Sequence, residues 1–170
     1  MKQHFTMFAA YNQWANRRIY DAAAQLTKDE FERNVGAFFG SAMGTLNHLL
    51  VADRIWMKRF TNGGEAPKTL DAILHRDFQP LRKAREAEDL RIMAWIGGLT
   101  EKAMAGRFTY MTVSDMRTVS QRLAPALAHV FNHQTHHRGQ AHAILTMLGK
   151  PSITLDLVYF QRTEEGRAFA

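Results

Sequence analysis

Proline sets the tightest limit on what this chain can become. Only four occur in 170 residues, at positions 67, 80, 125 and 151. Inside a helix, proline removes a backbone donor and clashes with the preceding turn. The intervals between these prolines are long and rich in helix formers, which makes an all-α architecture the first expectation. Residues 2 to about 26 place Phe5, Phe8, Ala15, Ile19, Ala23 and Leu26 on one stripe at about 100° per residue. Thr27-Lys28-Asp29-Glu30 then offers a stop and a new N-cap. A glycine- and phenylalanine-rich loop is expected over 34–40. The spacing predicts a second helix over 41–60, ended by Asn62-Gly63-Gly64. A third is predicted from about 69 to 96, with Pro80 kinking or dividing it and Gly97-Gly98 behind it. A fourth covers about 122–148. Pro125 is tolerated in its first turn, Gly149 caps its end and Pro151 lies just beyond.

The segment before that last helix behaves differently. Phe108, Tyr110 and Thr112 alternate, Ser114-Asp115 suits a turn, and Thr118-Val119 can return, which predicts a short β-hairpin. Four long helices and one small extra element make a single four-helix-bundle domain over residues 1–170. The apolar tail from Ile153 to Phe160 is expected to pack on its body.

Composition narrows the function classes. Apolar residues make up 46% and charged residues 22%, which argues against disorder. The absence of cysteine excludes disulfides, thiolate metal sites and a thiol nucleophile supplied by the protein. No apolar run approaches the roughly 20 residues of a membrane helix. The start, Met1-Lys2-Gln3-His4-Phe5, has no signal-peptide core, so a soluble cytoplasmic protein is expected. The net charge of +6 raises nucleic acid as a partner. However, the densest basic stretch, 76–91, is interleaved with Asp77, Glu86, Glu88 and Asp89 and reads as a solvated helix face. Nucleic acid is therefore not the favoured partner.

The chemistry concentrates in His129-Val130-Phe131-Asn132-His133-Gln134-Thr135-His136-His137-Arg138-Gly139-Gln140. Four of the eight histidines fall within nine residues. His129, His133 and His137 stack along one side of a helix at i, i+4, i+8. With Leu123 at 0°, the residues Leu127, Val130, Ala141, Ile144, Leu145 and Leu148 cluster within about 60°. His137 lies inside that arc at about −40° and His133 at its edge at about −80°, while His129 and His136 fall near the rim. Two inward imidazoles four residues apart can grip one metal ion. The alternative is a core histidine bonded to a carbonyl.

Two ligands make an incomplete site. His4 sits near a fraying terminus, His75 falls in the charged third helix, and His142 points away from the apolar arc. His48 sits in a helix apolar on two sides, with Leu46, Leu49, Met57 and Phe60 on one stripe and His48, Val51, Ala52 and Ile55 on another. A helix with two greasy faces is buried twice, once in its own bundle and once against a partner subunit. That makes His48 the best third ligand, a hydrogen-bonded core histidine being the competing reading. Three protein ligands plus an exchangeable position is the catalytic metal pattern, able to bind water, hydroxide or a substrate thiolate. No glutamate follows a histidine in the metalloprotease spacing. Asn12 and Asn16 share the first helix's apolar stripe. They are either second-layer or substrate-facing groups, or amides bonded to neighbouring backbone.

These segments together resemble the DinB family, within the DinB/YfiT-like metalloenzyme superfamily. The resemblance is carried by Tyr11-Asn12-Gln13-Trp14-Ala15-Asn16, Thr45-Leu46-Asn47-His48-Leu49-Leu50 and Asp53-Arg54-Ile55-Trp56. The histidine segment is its strongest part, followed by Leu155-Asp156-Leu157 and Phe160-Gln161-Arg162. It spans residue 5 to about 162 and is weaker in the charged third helix. It implies an up-down-down-up four-helix bundle, often a homodimer, with a divalent metal (zinc, nickel or iron) held by His48, His133 and His137. The superfamily includes thiol-dependent S-transferases and a mycothiol-dependent isomerase. The expectation is thus a metal-dependent enzyme acting on a small molecule, in which a low-molecular-weight thiol or water is activated. A metal-dependent hydrolase and a non-catalytic metal- or small-ligand-binding protein are the alternatives.

Overall fold

The computed structural model describes residues 1–112 and 116–170. Helix α1 (Lys2–Ala23) is followed by α2 (Lys28–Glu32), α3 (Ala42–Thr61), α4 (Phe78–Gly98) and α5 (Glu101–Met104). Strands β1 (Arg107–Met111) and β2 (Thr118–Arg122) lead into α6 (Leu123–Met147), α7 (Leu157–Gln161) and a closing 3-10 turn at Arg167–Phe169. The four long helices, α1, α3, α4 and α6, form the bundle.

Their directions follow from which side chains meet. Tyr20, late in α1, lies 5.9 Å from Phe78 at the start of α4, whereas early Phe5 packs in one cluster with Ile92 and Ile96. These two helices are antiparallel. Phe5 meets Phe131 while Ile19 shares a cluster with Ile144 and Leu145, so α1 and α6 run together. His48 meets His137 and Trp56 meets His129, which sets α3 against α6. Asp53 pairs with Arg85 and Phe60 stacks on Trp95, making α3 and α4 parallel. The result is the up-down-down-up bundle, and its parallel α3–α4 neighbours require the long crossover over residues 62–77.

The hairpin forms as expected, with Phe108 opposite Gln121 and Tyr110 opposite Val119. Its Ser114-Asp115 turn lies outside the described residues. Phe108 and Tyr110 face α3, packing on Phe60 and Trp56. Thr27 and Glu30 close a reciprocal capping box at α2. The tail packs as expected, with Phe160 fully buried beside Tyr11 and Trp14.

Three expectations need correction. Helix α4 begins at Phe78, well after residue 69, because Asn47 captures the preceding backbone. Its Oδ1 accepts from the amides of Leu74 and His75 at 2.8 and 3.0 Å, and its Nδ2 donates to the His75 carbonyl at 2.9 Å. His75 therefore sits in the crossover rather than in a helix. Pro80 then falls in the first turn of α4, where no intrahelical donor is lost, so it neither kinks nor divides the helix.

The second correction concerns charge. The face of α4 that reads as solvated contains Arg85 and Asp89 at 1% and 3% exposure, with Glu88 also buried. The third concerns α3. Its second stripe, Val51, Ala52 and Ile55, is already covered within the single chain. Two-sided burial of this helix therefore needs no partner subunit.

Two apolar clusters occupy the ends of the bundle. One is built around Ile19, Leu46, Leu50, Leu81 and Ile144, the other around Phe5, Met57, Ile92, Leu127 and Phe131. Between them lies a buried polar layer drawn from all four long helices. Arg85 approaches Asp53 at 2.7 Å and Asp89 at 3.0 Å. Asp89 accepts from Asn16 at 2.9 Å and from Asn12 at 3.3 Å. Arg138 donates to both of those amide oxygens. Gln134 donates to Asp53 at 2.6 Å and to the Leu49 carbonyl at 3.0 Å. Burial opposes the charge on Arg85, but Asp89 and Asp53 outweigh it and raise its pKa.

Replacing Arg85 with Met keeps the volume and strands two buried carboxylates. Urea unfolding of Arg85→Met should show a loss of roughly 3–5 kcal/mol. A loss below about 1 kcal/mol would mean these charges are not held as a unit.

Candidate metal centre

Three histidines from two helices meet where α3 crosses α6. His48 Nε2 lies 3.3 Å from His133 Nε2 and 3.2 Å from His137 Nε2. One ligand nitrogen from each falls within 4.8 Å of the other two, a group that could hold a metal ion. Helix geometry supplies half of this arrangement, since His133 and His137 are one turn apart and their rings sit 4.3 Å from centre to centre.

The far sides of two rings decide what faces inward. His48 Nδ1 lies 2.8 Å from the Leu70 carbonyl, which can only accept, so Nδ1 carries the proton. His137 Nδ1 lies 2.7 Å from Gln140 Oε1 and is assigned a proton for the same reason. In these tautomers both Nε2 atoms present lone pairs to each other across 3.2 Å. Such a contact is repulsive unless a proton or cation lies between them. Two nitrogens bound to one tetrahedral zinc ion would sit about 3.3 Å apart, so the donor set fits a divalent cation. The carbonyl and amide behind the rings are the outer partners that orient metal-binding histidines.

Burial keeps the group neutral. It pushes the His133 pKa down to about 3, aided by the neighbouring His137 and His48 rings. His48 is lowered mainly by burial, against the Leu70 bond. His137 is lowered by burial against its bond to Gln140. Neutral imidazole is the ligating form.

Phe39 forms a lid on one side, stacked on the His48 ring at 3.8 Å and 19°. It reaches that place because Gly44, in the first turn of α3, lets the preceding turn pack directly on the helix. A Cβ at Gly44 would stand 2.0 Å from the Phe39 carbonyl oxygen. The histidines form part of the wall of a cavity of about 680 Å³, lined also by Phe38, Leu70, Asp71 and Gln140. That volume is in the range of small-molecule sites.

The other predicted residues divide clearly. His129 and His136 are exposed, as periodicity indicates; His136 borders the cavity and His129 packs against Trp56. His142 holds the chain after α6 by accepting from the Ile153 amide. Asn12 and Asn16 do not border the cavity. They lie in the polar layer, connected to the site through Arg138, which follows His137 in the chain. Sequence reasoning missed Phe38, Phe39, Leu70 and Asp71, because loop residues carry no periodicity that points them at a helix. Gln140 had a signal, being one turn beyond His137 on the same helix.

With this geometry in hand, comparison with known proteins gives a consistent result. The model of the DinB family matches residues 1–168. The chain belongs to the DinB family. It is 26% identical over 166 residues to Protein DinB of Bacillus subtilis (strain 168), covering 91% of this chain and 94% of that one. A DinB-like protein from Bacillus cereus ATCC 10987 superimposes with a TM-score of 0.66 at 14% identity, covering 85% of this chain and 90% of the other. That likeness establishes the shared bundle. The family match extends over both helices that carry the histidines.

Two predictions follow from the site's packing and protonation. Gly44→Ala should lose roughly 1–3 kcal/mol in thermal or urea unfolding, because backbone must move to admit the methyl group. Acid should weaken the metal-free protein through His133, which in the unfolded chain takes a proton near 6.5 but in the folded chain only near 3. Stability from this residue is complete above about pH 6.5 and falls as the pH drops toward 3. Asp53, pushed up to about 6 by burial, acts in the opposite sense, so the comparison is made against His133→Gln. Urea midpoints should drop more steeply between pH 7 and pH 5 for the parent than for this variant; equal slopes would refute the assignment.

Proposed function

We propose that this DinB-family chain is a metal-dependent enzyme in which His48, His133 and His137 hold one divalent cation, and that it catalyses thiol-dependent transfer to a small molecule. The observation that carries the reading is the convergence of three Nε2 atoms beside a ligand-sized cavity, with at least two of them tautomerically fixed as lone-pair donors. A zinc, nickel or iron ion there would supply Lewis acidity, lowering the pKa of a thiol or water near it. The chain's own residues do the rest. The Leu70 carbonyl and Gln140 orient two of the ligands, and Phe39 shields the His48 face from solvent. Asn12 and Asn16 act at one remove, holding Arg138 and through it the pitch of α6 beside His137. With no cysteine in the chain, the thiol is supplied by a cosubstrate.

Two further features complete the proposal: the protein works as a homodimer, and in the cytoplasm. Among the described residues no helix is long and apolar enough to cross a membrane.

Protein purified without a His-tag or nickel column should contain about one divalent ion per chain, and His133→Ala should lose it while remaining folded. Unchanged metal content in His133→Ala would end the metal assignment. In cobalt-substituted protein, a low-molecular-weight thiol should shift the visible spectrum. No shift, together with turnover of ester or amide substrates, would replace the transferase reading with a hydrolase. No turnover of either kind would leave a binding protein.

A further inference from the structure

The three histidines stand at one end of a longer strip of surface. The rings of His133 and His129, one turn apart on α6, sit 5.9 Å from centre to centre, and His129 lies 5.1 Å from Trp56 on α3. Next comes Arg59, whose guanidinium carbon is 4.6 Å from the Trp56 ring and 4.6 Å from the Tyr110 ring of β1. Arg59 follows His48 by eleven residues, about three turns, and so returns to the same face of α3. His133, Trp56, Arg59 and Tyr110 are half-buried and His129 is exposed, so a ligand can reach the whole strip.

Arg59 differs from the cations beside it on α3. Arg54 pairs with Glu88, and Lys58 donates to the Asn62 carbonyl. Among the described residues no carboxylate pairs with Arg59 and no acceptor meets its donors, and its Nε is buried without a partner. Stacking on aromatic faces holds a guanidinium by its flat side and leaves the donors in its plane free. An arginine held this way presents a ready fork to an anion.

The charges around the strip agree on the sign of that partner. Three neutral imidazoles would leave a bound divalent cation with its full charge, and His129 is kept neutral by burial and by the Arg59 guanidinium. The carboxylate of Asp71 belongs to the cavity wall, which includes neither His129 nor Arg59. A ligand at the histidines thus meets a negative group in the cavity and a positive one along the strip. One unpaired guanidinium supplies a single positive charge, which matches a carboxylate better than a phosphate dianion.

We propose that Arg59 binds the carboxylate of a small molecule whose other end lies at the histidine site, about 10 Å away. The proposal rests on the reading of His48, His133 and His137 as a metal site open to a small molecule, and holds whichever reaction takes place there.

The test uses the full zinc-loaded chain at pH 7 and probes that chelate a divalent ion through a hydroxamate. The long pair is suberic acid monohydroxamate and the same molecule with its carboxylate replaced by a primary amide. The short pair is the succinic equivalent, which cannot span the distance to Arg59. Calorimetric titrations give the dissociation constants. The long acid should bind about tenfold more tightly than the long amide, a factor in keeping with one partly solvated ion pair. Arg59→Met should erase that difference by weakening the long acid alone, and Arg59→Lys should keep part of it. The short pair reads the charge of the metal itself, so its ratio should be the same in the parent and in Arg59→Met. A long acid no tighter than its amide, a preference that survives Arg59→Met, or equal weakening of acid and amide in that variant would overturn the proposal. A parent chain that takes up no zinc fails the metal reading and the proposal with it. A chain that holds zinc but shows no dependence on Arg59 fails the proposal alone.

Discussion

The buried ion pairs between Arg85, Asp53 and Asp89 constrain the rest of this molecule. A charge at 1% exposure cannot be left unpaired, and an arginine fork tolerates little sliding of its partners. Because Asp53 belongs to α3 and Arg85 to α4, their pair locks these parallel helices in one axial register, and Asp89, one turn along α4, holds the arginine in place. Asn12 and Asn16 carry the lock to α1, and Arg138 and Gln134 carry it to α6. Apolar clusters on either side of this layer supply the attraction that closes the bundle. Greasy side chains pack almost as well after a slip of one turn, so the polar layer is what makes one register preferable.

The histidine group depends on that register. Gln134 sits beside His133 in sequence and Arg138 beside His137, so the residues that grip the layer alternate with those that would grip a cation. Asp53 lies five positions after His48, little more than one turn along α3. A shift of one helical turn between α3 and α6, about 5.4 Å, would separate ring nitrogens that now stand 3.2 and 3.3 Å apart. The layer and the site are thus two parts of one alignment.

This division explains what could be read from the sequence. His133 and His137 were legible because facing within one helix is a local property set by residue spacing. His48 was legible because its surroundings are apolar on two stripes. The hairpin and the tail were legible from alternation and from apolar content. The polar layer was not, because charges at helical spacing look the same whether they face water or a complementary set from three other helices. Arg85 and Asp89 are neighbours at i, i+4, which on an exposed face would be an ordinary surface pair. The start of α4 was misplaced for a similar reason: residues 69–77 look helix-compatible by themselves, and only the Asn47 side chain, distant in sequence, gives their backbone better partners. The second apolar stripe of α3 announces burial without naming what covers it, and the same chain covers it.

The wall of the cavity obeys a different constraint from its floor. The three histidines sit on helices whose positions the whole bundle fixes, so their geometry persists wherever the bundle does. Phe38 and Phe39 stand on the 36–40 turn, and Leu70 and Asp71 on the crossover. Each loop is tied to α3 near the site, through the close contact at Gly44 and through Asn47 and His48, but Phe38, Phe39, Leu70 and Asp71 join none of the apolar clusters. Changes at Phe38 or Asp71 would therefore reshape the cavity at little cost to the fold, whereas changes at Arg85 or Arg138 would disturb the alignment itself. A bundle shared at 14% identity with another DinB-like protein is what such a separation permits. The helices fix where the three histidines meet, and the loops shape the cavity beside them.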